Sequence, residues 1–240
     1  MPDEGPMRIH KFLAQAGVCS RREAERLVAE GVVQINGKIA VTGQPVDPAV
    51  DVVKCRGQHI KPLARTVVLM MNKPKGFLCT NDDSHGGQTV FDMVPPEYKQ
   101  LRLFCVGRLD KDSEGLLLLT NDGALANKVM HPSGGVIKRY EIILNRDYDP
   151  ALTPRLLKGA MEEGELLRLK KLIRHPDNAA HLEVHLDQGR KREIRRLFEI
   201  FGFHVKMLRR FQIGGLVLRK MPAGDCRPLS RKEIDEIFEG

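Results

Sequence analysis

The sequence predicts an α+β protein: a small helix–helix–hairpin unit, followed by a larger domain on a mixed, mostly antiparallel β-sheet with flanking helices. Three observations carry this. Within residues 7–60, apolar residues fall twice at helical spacing and then in two short runs around Asn36-Gly37. From residue 67 onward, strand-length apolar runs follow one another with only a few helical patterns between them. Between the two lies KPLART, residues 61–66, which reads as a linker.

Residues 1–6 read as a disordered start. From Arg8, the residues Ile9, Phe12, Leu13 and Ala16 share one helix face, and Gly17 ends that helix. Ser20 is placed to cap a second helix, with Glu23 completing a capping box. This helix buries Ala24, Leu27 and Val28 and stops at Gly31. The runs VVQI and KIAV then flank Asn36-Gly37, a strong hairpin-turn signal. In the larger domain, 67–240, VVLMMNK and FLCT are expected as strands around a Lys-Pro-Lys-Gly turn, with NDDSHGGQT as a polar loop. LRLFCVG, LLLLT, VIKRYEIIL, ELLRLKKLI and HLEVHL are further strands. Helices are expected near 123–131, 151–160, 190–201 and 230–238, the last opened by a Ser230–Glu233 capping box.

The chain has 240 residues and a net charge of +8. Residues 190–220 hold 10 basic and 2 acidic residues, so this stretch alone equals the net charge. That is the footprint of a phosphate-binding surface. Cys19, Cys55, Cys79, Cys105 and Cys226 are odd in number and widely spaced, which argues against a disulfide framework or a cysteine metal site and for a reducing cytoplasm. The N-terminal residues lack the pattern of a signal peptide, and no apolar run has the length of a membrane span. His181 and His185 would share a strand face, but no third ligand stands near, so no metal is expected. Neither a P-loop, a dinucleotide-binding glycine motif nor HExxH is present.

Three stretches carry chemistry. GRLDKDSEGLLLLTNDG, residues 107–123, puts Asp110 in a polar loop between two buried strands, where a carboxylate is rigidly held yet reachable. From the residues alone, an ordinary turn with solvated charges fits as well. In KRYEI, residues 138–142, Lys138, Tyr140 and Ile142 share a strand face; a Tyr packed in the sheet is the plain alternative. In GRKREIRRLFEIFG, residues 189–202, Ile194, Leu197, Phe198 and Phe201 form an apolar helix face. At about 100° per residue, Arg192 and Arg196 point away from that face, and Arg195 sits at its margin, able to reach a cleft.

Residues 7–60, through MRIHKFLAQAGVCSRREAERLVAEGVVQINGKIA, closely resemble the S4 RNA-binding domain. That resemblance implies RNA contacts from Arg8, Lys11, Arg21, Arg22, Arg26 and Lys38, with the second helix against the backbone. The GRLD string, with its Gly-Leu-Leu-Leu and Thr-Asn-Asp-Gly continuation, resembles the signature of RsuA/RluB-type ribosomal RNA pseudouridine synthases. The resemblance implies that Asp110 is the catalytic carboxylate and that Arg108 fills the space left by a flipped base. It implies that Tyr140 stacks on the target uracil, and that Ile194 lines the substrate pocket while Arg195 stands beside Asp110. Lys191, Arg192 and Arg196 are left as phosphate contacts, and Asp112 and Glu114 as solvated loop charges. The implied reaction isomerises a specific uridine, needs no cofactor, and takes ribosomal RNA or a precursor ribosomal subunit as partner, with large-subunit RNA favoured. A cytoplasmic monomer is expected. The rival reading is a non-catalytic S4-containing RNA-binding or ribosome-assembly protein; the set Asp110, Tyr140 and Arg195 separates the two, because binding alone does not require it.

Overall fold

The computed structural model describes residues 5–61, 65–81 and 86–239. The chain divides into two compact units: Met1–Thr66 with Asn121–Gly123, and Val67–Thr120 with Ala124–Gly240. Parts of the expected disordered start, linker and polar loop lie outside the described residues.

The first unit runs β1 (Met7–Arg8), α1 (Ile9–Gln15), α2 (Arg21–Ala29), β2 (Val33–Ile35), β3 (Lys38–Ile39), β4 (Pro45–Val46), β5 (Val53–Cys55) and β6 (Gln58–Ile60). Strands β3-β2-β5-β6 form one small sheet, and β1 pairs with β4. Ser20 caps α2 by accepting the Glu23 N–H (3.2 Å). Asn36 and Gly37 both have positive φ, 51° and 80°, which suits them to the two-residue turn between β2 and β3. Ile9, Phe12, Leu13, Ala24, Leu27 and Val28 pack with Val33, Ile35 and Val53 into a core of their own.

The second unit contains β7 (Val68–Lys73), β8 (Phe104–Val106), β9 (Glu114–Thr120), α3 (Gly123–Met130), β10 (Lys138–Leu144), α4 (Thr153–Lys158), β11 (Ala160–Glu162), β12 (Glu165–Leu167), β13 (Lys171–His175), β14 (Asn178–Leu186), α5 (Glu193–Ile200), β15 (Val205–Ile213), β16 (Leu216–Val217), β17 (Cys226–Pro228) and α6 (Arg231–Glu236). Nine strands make one sheet in the order β13-β14-β10-β15-β9-β7-β17, with β8 on β9 and β16 on β15. Only β9 and β15 run parallel among the pairs in this sheet. The α+β class is therefore as expected. Strands β7 and β9 are covered on both faces: Met70, Leu116 and Leu118 enter one core, and Leu69, Met71, Leu117 and Leu119 another. Burial on both sides explains why these strands read as unbroken apolar runs.

Three local expectations differ. FLCT is not a strand; only Leu78 pairs, in an isolated parallel bridge with Thr89. ELLRLKKLI breaks into β12 and β13, because Leu169 turns inward and its N–H donates to Leu156 O. The nine-residue β15, at the centre of the sheet, was not anticipated. Its inward pattern places Arg210 and Gln212 where apolar residues would announce a strand.

Candidate active site

The loop between β8 and β9 is framed by two glycines in the left-handed region, Gly107 (φ 75°) and Gly115 (φ 104°). A Cβ at Gly115 would lie 2.2 Å from the Arg210 carbonyl oxygen. Only glycine there lets β9 approach β15 in the parallel register Arg210↔Gly115.

A fully buried lysine at the end of β7 anchors this loop. Lys73 Nζ donates to Pro74 O (3.0 Å), Asp110 O (3.1 Å) and Ser113 O (2.8 Å). Burial lowers its pKa from the ordinary lysine value, against the opposing pull of Cys79, Asp112, Asp110 and Glu114. Gly76 N–H donates to Lys111 O (2.7 Å), and Ser113 N–H closes a turn onto Asp110 O (3.1 Å). So the backbone of Asp110 is fixed while its side chain stays 33% exposed. Nothing in NKPKG marks Lys73 as special; two of its three carbonyl partners lie 37 and 40 residues away.

Asp110 lies on a wall shared by two clefts. One, of about 390 Å³, is also lined by Arg108, Lys138, Tyr140, Lys191, Ile194, Arg195 and Arg210. The other, of about 700 Å³, is lined by Lys75, Cys79, Arg108, Asp112 and Arg192 among others. Asp110, Tyr140, Ile194 and Arg195 thus meet around one cleft, although they come from a loop, β10 and α5. Tyr140 is buried on β10, opposite Val184 of β14 and Arg210 of β15. Arg108 and Lys191 are exposed at the rim. In the other cleft, a hydrogen bond with Cys105 and one from the Leu109 N–H pull the Cys79 thiol down to about 6, and Cys105 is pushed up.

The arginines are arranged differently from expectation. Arg195 is buried, 4% exposed, but its carboxylate partner is Asp112. Its Nη1 donates to Val205 O (2.6 Å), while Nη2 lies 3.3 Å from Asp112 O and 3.2 Å from Asp112 Oδ2. Asp112 is therefore ion-paired, although its side chain stays 52% exposed. The side chain facing Asp110 is Arg192, at 3.6 Å from Oδ2 and 3.5 Å from Asp112 Oδ1. Arg192 precedes α5 and has φ 52°, so helical spacing does not govern where it points. Arg196 does not present an open phosphate-binding head. Its guanidinium is held by Glu162 (2.5 Å), Glu165 (2.9 Å) and Glu163 (3.7 Å), and its side chain is 16% exposed. Its hydrogen bond, with that of Arg190, holds the Glu165 carboxyl below its ordinary value.

In the first unit, Arg8, Arg21, Arg22 and Lys38 are exposed and Lys11 is half-buried. Arg26 is exposed too, but is paired with Glu23 (2.5 Å) and Glu30 (3.2 Å) along its own helix. His181, considered above with His185, stacks on His175 at 4.9 Å, and His185 pairs with Glu183 at 2.6 Å. No helix among the described residues is long and apolar enough to cross a membrane.

Residues 67–199 match the RNA pseudouridylate synthase family, and residues 7–52 match the S4 domain. The chain is 36% identical over 243 residues to the dual-specificity RNA pseudouridine synthase RluF of Escherichia coli (strain K12), covering 100% of this chain and 80% of that protein. It is 36% identical over 239 residues to ribosomal large subunit pseudouridine synthase B of Vibrio cholerae serotype O1, covering 97% and 74%. A crystal structure of a pseudouridylate synthase superposes with a TM-score of 0.69 at 27% identity, covering 96% of this chain and 99% of that one. By more than half its length, and in the segment that carries the Asp110 loop, this chain belongs to the RNA pseudouridylate synthase family.

Proposed function

We propose that this RNA pseudouridine synthase isomerises a specific uridine of ribosomal RNA, with large-subunit RNA favoured and Asp110 as its catalytic carboxylate. The observation that carries the reading is the convergence of Asp110, Tyr140, Ile194 and Arg195 on one cleft, with the Asp110 loop tied to Lys73. A protein that only bound RNA would not need a carboxylate held out between two clefts, where it repels phosphate.

The net reaction breaks the C1′–N1 bond, joins C1′ to C5 and transfers the C5 proton to N1. It changes no oxidation state and requires no group donor. The target base must leave its stack, at a cost of a few kcal/mol that contacts in the pocket offset. Tyr140 and Ile194 offer the inserted uracil an aromatic and an aliphatic wall. Arg108 lines both clefts, and we assign it to the space the base vacates. Asp110 acts on the inserted nucleotide, with Arg192 as its counter-charge and Arg195 holding the loop through Asp112. Tyr140 assists removal of the C5 proton, directly or through a water.

Ribosomal RNA is favoured because the relative from Vibrio cholerae is named for the large ribosomal subunit and because an S4 domain accompanies the family segment. Arg8, Lys11, Arg21, Arg22 and Lys38 supply RNA contacts in that domain. We also expect a cytoplasmic monomer acting on ribosomal RNA or a precursor subunit. The test is to map pseudouridines in ribosomal RNA from cells with and without the gene, and then to restore the missing one with purified protein and no added cofactor. An unchanged map, together with a protein that binds but converts no RNA, would favour the assembly-factor reading.

A further inference from the structure

The cleft that holds Asp110 and Tyr140 also contains two cations with no role in the mechanism so far. Arg210, in the middle of β15, is 3% exposed. Its Nε donates to Leu116 O (2.7 Å), and its guanidinium carbon lies 6.0 Å from the Tyr140 ring centroid. Its Nη2 is buried and donates to nothing among the described residues. Lys138, at the start of β10, is 9% exposed and lines the same cleft. Burial and the charge of Arg210 lower its pKa, against the opposing pull of Asp187 and Glu193.

Two neighbouring buried cations are costly unless something neutralises them. The carboxylates whose charge reaches Lys138, Asp187 and Glu193, each hold other partners as well. Asp187 pairs with Arg168 and Lys170 at 3.8 Å each. Glu193 accepts from Gln188 and from the Arg190 N–H. Asp110 faces Arg192. No described residue accepts a hydrogen bond from Arg210 Nη2, so its complement enters the cleft from outside. Its walls include Tyr140, Leu186, Ile194, Leu208 and Ile213, which suit the faces of a flat ring better than a phosphodiester.

Uracil has two carbonyl oxygens. When C1′–N1 breaks, the bonding pair stays on the ring and its charge spreads over N1, O2 and O4. The ring returns that pair to C1′ through C5, and the C5 proton ends on N1, so atoms and charge balance. We propose that Arg210 and Lys138 bind the carbonyl oxygens of the inserted uracil and stabilise the charge it carries while detached from the ribose. This rests on the function proposed above and adds two catalytic residues to it. Preorganised donors in a dry site, aimed at an oxygen that becomes more negative, are worth about 10²–10³ in rate each.

The test uses the full chain and a synthetic RNA carrying the uridine mapped above, with that uridine intact or replaced by 2-thiouridine or 4-thiouridine. Sulfur accepts hydrogen bonds poorly, so one or both thio substitutions should slow the wild type. Lys138→Met and Arg210→Gln should each lower the single-turnover rate at saturating RNA by about 10²-fold or more, with RNA affinity within about threefold. The thio effect should shrink in the variant that has lost the matching donor, which a purely structural role would not produce. Lys138→Met removes a charge that makes no hydrogen bond among the described residues, so it carries the test if Arg210→Gln fails to fold. A full rate in Lys138→Met, or equal thio effects in wild type and variants, would overturn the inference. Wild type silent on every ribosomal RNA would overturn the proposed function and this inference together.

Discussion

Replacing Lys73 with Met tests whether a buried cation positions the Asp110 carboxylate. Methionine has nearly the same length and volume, so the strand and its neighbours need not move. What is lost are three charge-assisted hydrogen bonds to Pro74 O, Asp110 O and Ser113 O. Bonds to a charged group contribute about 1.5–3 kcal/mol each. Against this, an ammonium no longer has to be desolvated, which returns several kcal/mol. Asp110 O keeps the Ser113 N–H as a donor, whereas Pro74 O and Ser113 O lose theirs. Two under-satisfied carbonyls at about 1–3 kcal/mol each put the net loss at about 2–6 kcal/mol. For a unit of this size, that is a fall in Tm of roughly 4–24 °C. The rate should fall further than the stability suggests, by about 10²-fold or more, because the bonds that disappear place the Asp110 backbone. RNA affinity should hold. Melting, filter binding and single-turnover conversion measure the three effects. A variant with lowered Tm but wild-type turnover would refute the reasoning, since Asp110 would then keep its position without Lys73.

Asp110→Asn should abolish conversion while leaving melting and RNA binding nearly unchanged, because the loop is held by its backbone; conversion near the wild-type rate would remove Asp110 from the mechanism. Arg192→Ala should reduce turnover more than affinity, whereas Arg196→Ala should lower Tm with little change in the salt dependence of RNA binding, as its charge is engaged by glutamates; a slope reduced by about one phosphate contact would restore it as an RNA ligand. Glu233 is held at about 2, first by its hydrogen bond with Arg227 and then by the Ser230 N–H and hydroxyl. A folded pKa below the ordinary 4.5 means stabilisation that is present above that value and lost as pH falls from 4.5 towards 2. Wild type should therefore melt higher than Glu233→Gln at neutral pH, and the two should converge through that window. Deleting residues 1–60 should weaken RNA binding while residues 67–240 stay folded; a truncated chain without a cooperative transition would show that the two units do not fold separately.

Local chemistry was legible in the sequence wherever it acts over a few residues. The cap at Ser20, the Asn36-Gly37 turn, the Ser230–Glu233 box and the alternation through Lys138–Leu144 depend on neighbours within about four positions, so the residues suffice to place them. The GRLD, KRYEI and REIRR stretches were legible too, through their family resemblance, and the cleft brings Asp110, Tyr140, Ile194 and Arg195 together. What the sequence could not decide was which charge meets which. The basic run at 190–220 looked like a phosphate-binding stripe, yet Arg190 and Arg196 are matched by Glu165, Arg195 by Asp112, Arg192 by Asp110 and Asp112, and Arg209 by Glu141. Each partner lies some 25 to 85 residues away in the chain, and ion pairs at such separations have no periodicity to betray them. For the same reason β15 was missed: Arg210 stands where a strand normally shows an apolar residue, and only the β10–β15–β9 packing turns it towards Tyr140. Lys73 is the plainest case. A lysine in a turn-like NKPKG stretch reads as a solvated charge until the fold closes three carbonyls around it, and burial then makes it the fixed point on which the Asp110 loop depends.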